Sequence, residues 1–440
     1  MQDYFYQLAE FATSQLRGEE VYTCSFWAED SDFVRFNGSR VRQAGNTKQS
    51  SITLDLIEGR RHCRGELTLA GDVQVDRVRL ARMLENLREQ RAYLPEDPFL
   101  LYAIEIRSSE RTQPHRLPEP DDVLAQIMKA GEGRDLVGIY AAGGMHSGFA
   151  NSLGQRNWHS SFSYNLDWSF YHTSDKAVKS SYAGFEWRPA AFEEKARKAK
   201  DQLVLLTHPA HTISTGRYSV FLAPTALYEI IDMLSWGGFG VRAHRTKTTP
   251  LLRMIEDGVQ LHPMVHIQEN THDGIAPDFQ DSGFIRPGKV SLIHEGRHRD
   301  YLVSPRSAVE YGIPTNGATD AESPLSLEVS PGDLPQEEVL RQLGTGIYIS
   351  NLWYLNYSDR SACRTTGMTR FATFWVENGV IQAPLNVMRF DETVYRMLGE
   401  NLEGLTRERE LILDPRSYGR RSNHSTCVPG ALIRDFRLTL

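Results

Sequence analysis

Only four cysteines occur in 440 residues, Cys24, Cys63, Cys363 and Cys427, and no two of them form a CxxC pair. That scarcity argues against a disulfide scaffold or an all-cysteine zinc module and fits a reducing compartment. Long hydrophobic runs are missing too. Stretches such as Leu203–Leu206 and Leu227–Leu234 fall far short of the roughly 20 residues of a membrane helix, and the second carries Glu229 and Asp232. No membrane span is expected. The first residues, MQDYFYQLAEF, are acidic where a secretory leader carries Lys or Arg, so a cytoplasmic location is expected. Positive charge is not in excess: Lys+Arg 49 against Asp+Glu 56 gives −7. Nucleic-acid affinity rests on clustered positive charge, so direct nucleic-acid binding is disfavoured. There is no GxSxG nucleophile elbow, phosphate-binding loop or dinucleotide fingerprint, and Gly143-Gly144 and Gly237-Gly238-Phe239-Gly240 read as turns.

What remains is ordinary composition for a globular protein, 40% hydrophobic and 24% charged. The patterning predicts an α+β fold: an N-terminal α/β domain of helices and antiparallel strands over residues 1–205, then a mostly β domain over 206–440. Phe5, Leu8, Ala9, Ala12 and Leu16 recur at helical spacing, as do the apolar residues of Asp76–Arg91. Further helices are expected at Asp121–Ala130 and Pro189–Leu203. Strand-like runs fill Val21–Leu69, with Gly38, Gly45 and Gly59 as hairpin turns. More strands are expected near Leu100–Arg107 and at Leu136–Ala142, Gly148–Ser152, Trp158–His172 and Ala177–Trp187. The second half is given helices near Thr225–Leu234, Gln336–Arg341 and Glu392–Asn401.

His294-Glu295-Gly296-Arg297-His298 spells HExxH, which binds zinc only when a helix puts both histidines on one face. Lys289–Ile293 before it and Tyr301–Val303 after it read as strands, with Gly296 at a turn, so a solvent-exposed hairpin is expected. The remaining histidines, His208 with His211, His244, and His262, His266 and His272, are read as surface or hydrogen-bonded side chains.

Gly344-Thr-Gly-Ile-Tyr-Ile-Ser-Asn-Leu352, Ser358-Asp359-Arg360 and Phe374-Trp-Val-Glu-Asn-Gly-Val-Ile381 stand in the second half. Val34-Arg-Phe-Asn-Gly38, Val41 and Asn151-Ser-Leu-Gly154 stand in the first. In order and spacing these segments resemble the TldD/TldE (PmbA) peptidase family over most of the chain. Catalytic TldD-type members carry HExxxH on a helix, with two zinc-binding histidines and a Glu that deprotonates the metal-bound water. The resemblance places that helix on Thr225–Leu234, so the histidine positions fall on Tyr228 and Met233 and only Glu229 survives. Zinc prefers imidazole, thiolate or carboxylate, so neither replacement serves as a ligand. Cys427, after His424, lies where catalytic members place a cysteine ligand; these two are the remaining metal candidates, and Cys427 is read as an unligated thiol.

Val241–Leu252 resembles the TldE-type sequence at the same place. The resemblance therefore implies a TldE/PmbA-like subunit with no cofactor of its own, in a heterodimer with a TldD-like catalytic subunit that holds the zinc. Such a zinc-dependent protease acts on unfolded or extended peptides, which a sheet accepts by strand addition. A homodimer is left open. Two other readings remain: a free-standing metal-dependent hydrolase with a displaced site built from His208, His211 or His244 with Cys427, and a DNA-gyrase modulator without enzymatic activity.

Overall fold

A computed structural model describes residues 1–173 and 176–440. The first half runs α1 (Gln2–Ser14), β1 (Val21–Asn37), β2 (Arg40–Glu58), β3 (Arg61–Thr68), α2 (Val73–Arg91), β4 (Ser109–Thr112), α3 (Pro120–Gly131), β5 (Asp135–Asn151), β6 (Arg156–Thr173), β7 (Lys176–Gly184) and α4 (Pro189–Leu205). It continues with β8 (Gly216–Leu222), α5 (Pro224–Ser235), α6 (Val241–Arg245), α7 (Leu252–Glu256), β9 (Ile267–Glu269), β10 (Val290–His294), β11 (Arg297–His298), α8 (Pro305–Tyr311) and β12 (Ser326–Val329). Last come α9 (Val339–Leu343), β13 (Gly346–Asp359), β14 (Arg364–Glu377), β15 (Val380–Pro384), β16 (Arg389–Thr393), β17 (Leu402–Leu413) and β18 (Ser425–Leu438). The fold is α+β, as expected.

Among the described residues the strands form two sheets. The seven-stranded N-terminal sheet has the order β3-β2-β1-β5-β6-β4, with β7 also on β6; all its pairings are antiparallel except β4 with β6. The eleven-stranded sheet of the second half is mixed, since β8 runs parallel to β13 and β12 parallel to β18. Alternation decides which residues enter the core. In β6, Leu166, Trp168 and Phe170 are fully buried, while Asp167 between them faces the other way. Helix α2 begins where Asp72 caps it, accepting from the amides of Gln74 at 2.8 Å and Val75 at 3.1 Å.

Helices α1 and α2 bury Phe5, Leu8, Leu80 and Leu84 against Phe26 and Leu54. Helices α3 and α4 bury Ile127 and Phe192 beside Trp168, and Phe374 of β14 enters the same cluster. The two sheets therefore share a core, and the faces that meet there position the site described below.

Four expectations need correction. Gly45 is not a turn but pairs with Phe33 inside the β1–β2 ladder. Gly143-Gly144 is not a turn either: β5 runs unbroken through it, opposite Ser31-Asp30 of β1 and Ser163-Phe162 of β6. Glycine is needed at 143 because a Cβ there would lie 2.1 Å from the Asp30 carbonyl oxygen. Residues 100–107 form no strand; the Ala103 amide donates instead to the Ser282 carbonyl at 2.8 Å, tying this segment to a loop of the second half. Over Glu392–Asn401, strand β16 persists to Thr393, and the helical part shrinks to one wide turn, Arg396–Glu400, because Gly399 leaves helical dihedrals at φ −107°, ψ −116°.

Candidate functional site

Helix α5 is where the resemblance puts the family's chemistry. Pro224 sits at its first turn, where a missing N–H costs nothing, and the Thr225 hydroxyl donates to the Ser350 carbonyl at 2.6 Å. The helix ends when the Gly238 amide bonds the Leu234 carbonyl at 2.8 Å, with Gly237 at φ 82°. Leu227, Ile230, Ile231 and Leu234 are at most 1% exposed and seal one face against β13 and β18.

The expected ligand positions diverge on this helix. Met233 is buried, and its thioether offers zinc nothing. Tyr228 is half-buried, and burial pushes its phenol well above the ordinary range, reinforced by the nearby charges of Asp232 and Glu229. Burial also pushes the Glu229 carboxyl up to about 7; Lys179 opposes this, while Asp232 and Asp167 add to it. Asp167 and Lys179 form an ion pair at 3.2 Å across β6 and β7, so the N-terminal sheet supplies the charges facing this helix. Asp232 is likewise raised by burial, with Arg416 pulling the other way. A carboxylate near neutrality flanked by other carboxylates can hold or release a proton.

A segment from Asp414 to His424 leads from β17 back to β18 and pins the two halves together. Burial would raise the Asp414 carboxyl, but the Arg416 guanidinium at 2.6 Å prevails and holds it low. Arg421 is driven into the N-terminal sheet, where its backbone amide donates to Glu29 at 3.0 Å and its guanidinium to the Ser163 hydroxyl at 2.7 Å and carbonyl at 2.9 Å. Burial lowers its pKa to about 10. His424 ends this segment exposed. Cys427 follows within β18, half-buried, its thiol pushed up by burial. Its pairing neighbour Glu328 is engaged by Arg409, by Asn270 and, at 2.8 Å, by Gln268. Among the described residues no three His, Cys, Asp or Glu side chains converge as a metal-binding group. Tyr228 and Met233 therefore do not fit as ligands at the positions where the family would place zinc-binding histidines.

The HExxH string is a hairpin, with His294 ending β10, Arg297 and His298 forming β11, and Glu295 and Gly296 in the turn at φ 48° and 71°. Only part of it is exposed, which corrects the expectation. His294 lies at the surface beside His266, ring nitrogens 3.1 Å apart, whereas His298 turns inward against His244 and Tyr301, with ring centroids 4.9 and 4.4 Å away. Burial lowers the His298 pKa to about 4. His244 is buried and bonds the Gly238 carbonyl, whereas His208, His211 and His272 are exposed and His262 is half-buried. The hydrogen-bonded or surface reading holds for these.

Sequence reasoning did not find Asp167 and Lys179, although Asp167 stands out as a charge in the middle of an alternating strand. It also did not find the ion pair of Asp414 and Arg416, which no local pattern marks.

Among the described residues no helix is long and apolar enough to cross a membrane. Residues 215–440 match the family model of the PmbA/TldA metallopeptidase C-terminal domain. The metalloprotease PmbA of Escherichia coli O157:H7 is 29% identical over 143 residues, 32% of this chain and only 30% of that protein's length. TldE from Thermococcus kodakarensis has the same fold, with a TM-score of 0.80 at 12% identity over 99% of this chain and 100% of the other. So does a Thermotoga maritima protein described as a proposed modulator of a DNA gyrase, with a TM-score of 0.76 at 15% identity over 99% of both chains. With the family's C-terminal domain matched over more than half of its length, the chain belongs to the TldD/TldE/PmbA family.

Proposed function

We propose that this chain is a TldE/PmbA-type subunit of a two-chain, zinc-dependent peptidase for unfolded or extended peptides, and that hydrolysis occurs on a TldD-like partner that carries the zinc. The observation that carries this reading is the donor set of α5, a buried Met233, a half-buried Tyr228 and a lone Glu229 where two histidines and a base would be needed. Hydrolysis requires a polarised water and a base in register with the scissile carbonyl. Of these, this chain retains at most the base. The structural likeness to an archaeal TldE and the sequence likeness to a PmbA metalloprotease support the subunit assignment.

Mixing this chain with a catalytic TldD-type chain from the same organism tests the proposal. Zinc-dependent cleavage of an unfolded polypeptide by the mixture, absent from this chain alone, is expected. Chelator-sensitive cleavage by this chain alone, reduced by orders of magnitude in Glu229→Gln, overturns it.

A further inference from the structure

A cleft of about 700 Å³ opens where the β1 face, the loop of residues 277–286 and the Asp414–His424 segment meet. Arginines are frequent on its walls, but most are occupied. Arg64 pairs with Asp55 at 3.4 Å, Arg416 with Asp414, and Arg421 is bonded into the N-terminal sheet. Arg286 is different. It is 9% exposed, its Nε is buried without a hydrogen-bond partner, and among the described residues no carboxylate stands within ion-pair distance of it. The neighbouring charge of Glu269 is already engaged, its carboxylate accepting from the amides of Leu325 and Ser326 at 3.1 Å.

Two more residues on the walls of the same cleft carry orphaned polar atoms. Gln280 is 8% exposed; its Oε1 accepts from the Ser282 amide at 2.6 Å, which fixes the orientation of the side chain and leaves Nε2 as a donor without a partner. Asn423 Oδ1 is an acceptor without one. Buried polar groups are almost always satisfied, and three unsatisfied atoms on residues lining one cleft mark a place where a ligand completes the bonding.

We propose that this cleft binds the C-terminal carboxylate of an extended peptide, with Arg286 and Gln280 donating to the carboxylate and Asn423 accepting the last amide N–H. A planar guanidinium fork suits a carboxylate. An acceptor beside the donors calls for a ligand that carries a hydrogen-bond donor next to its anionic end, and the last N–H of a peptide stands there. Asp281, Asp320 and Asp414 on the walls also work against a dianion. Tyr418 offers apolar surface to the last side chain, whereas the Trp27 ring on the same wall is covered by the Arg420 guanidinium at 4.8 Å. The inference rests on the peptide reading above and names the end of the peptide that this subunit holds.

The test uses the full chain and a fluorescein-labelled ten-residue peptide of Gly, Ser and Leu, prepared as the free acid and as the C-terminal amide, with binding read by anisotropy. The acid is expected to bind about tenfold or more tighter than the amide. Arg286→Lys and Gln280→Leu should each bring the two affinities together by weakening only the acid, with melting curves confirming that the variants are folded. Equal binding of acid and amide by the unaltered chain overturns the inference, as does discrimination that survives in a folded Gln280→Leu. Inorganic phosphate binding more tightly than the acid peptide, with the same dependence on Arg286, also overturns it. If the acid and amide bind alike while the two-chain mixture still cleaves, this site falls and the subunit assignment stands. If discrimination holds while the mixture is inert, the assignment falls and the site stands.

Discussion

The two sheets close in different ways. In the N-terminal sheet most pairings, β1 with β2, β2 with β3, β5 with β6 and β6 with β7, join strands that are neighbours in sequence, and β1 with β5 is the one long ladder between distant strands. In the second sheet the last strand, β18, borders β8, β12, β16 and β17, the first of which begins more than 200 residues earlier. Local pairing requires little loop closure, whereas a sheet completed by its final strand must wait for the whole chain. The first sheet supplies a preformed wall to the shared seam, and the second brings the helix and the anchored segment to that wall only when β18 is in place.

The largest effect is expected from deleting residues 425–440. Every pairing of β18 is lost with them, including that with Val220–Leu222, whose side chains are fully buried. Amide exchange should show protection lost across β8, β12 and β17. Protection persisting there in the truncated chain would break the contrast between the sheets.

Within the first sheet, Gly143 and Gly45 sharpen the comparison. Both lie in paired strands, but a Cβ at 143 meets the Asp30 carbonyl at 2.1 Å, while one at 45 meets nothing within 4 Å. Gly143→Val should cost about 3 kcal/mol or more, and Gly45→Ala no more than about 0.5 kcal/mol, read from denaturant melts. A similar cost at both positions would show that the close approach of β1 and β5 at Gly143 is not tight.

Periodicity made the helices and the N-terminal strands legible, since α1, α2, α3, α4 and α5 carry apolar stripes and β6 alternates cleanly. It failed at Gly45 and Gly143, because a glycine in a strand looks like a glycine in a turn until the partner strand is known. It failed again at Glu392–Asn401, where helical spacing covers a strand edge and a single wide turn. The poverty of α5 in ligands could be read directly from Tyr228 and Met233. The charges facing Glu229 from outside its helix could not, because Asp167 and Lys179 come from sequence-distant strands. Nor could Arg286, Gln280 and Asn423, which become informative only when their missing partners are seen.

Glu229 tests the seam between the sheets. Its carboxyl is raised from an ordinary 4.5 to about 7 in the folded chain. The folded state thus binds its proton more tightly than the unfolded state, and stability falls as pH rises through that window. Above pH 7 the ionised carboxylate costs roughly 3 kcal/mol, a cost absent below about pH 4.5. Glu229→Gln should therefore stabilise the chain by about 2 kcal/mol at pH 8 and hardly at all at pH 4, while the cleavage rate of the assembled pair stays unchanged. A stability difference independent of pH would show that the Glu229 carboxyl is not buried in the seam between the sheets.

The smallest effect separates the two histidines of the hairpin. His294 is exposed beside His266, so His294→Ala should change stability by about 0.5 kcal/mol or less. His298 packs against His244 and Tyr301, and its pKa is lowered to about 4. A lowered histidine pKa means that the unfolded chain takes up the proton first, so the unaltered chain loses stability as pH falls from about 6.5 towards 4. His298→Ala should cost about 1 kcal/mol at pH 8 through lost packing, and that cost should shrink or reverse near pH 5. Neither substitution should alter the zinc content of the assembled pair. Zinc lost on changing both would make the hairpin a ligand site after all, and the HExxH string would then have to bind metal from a turn.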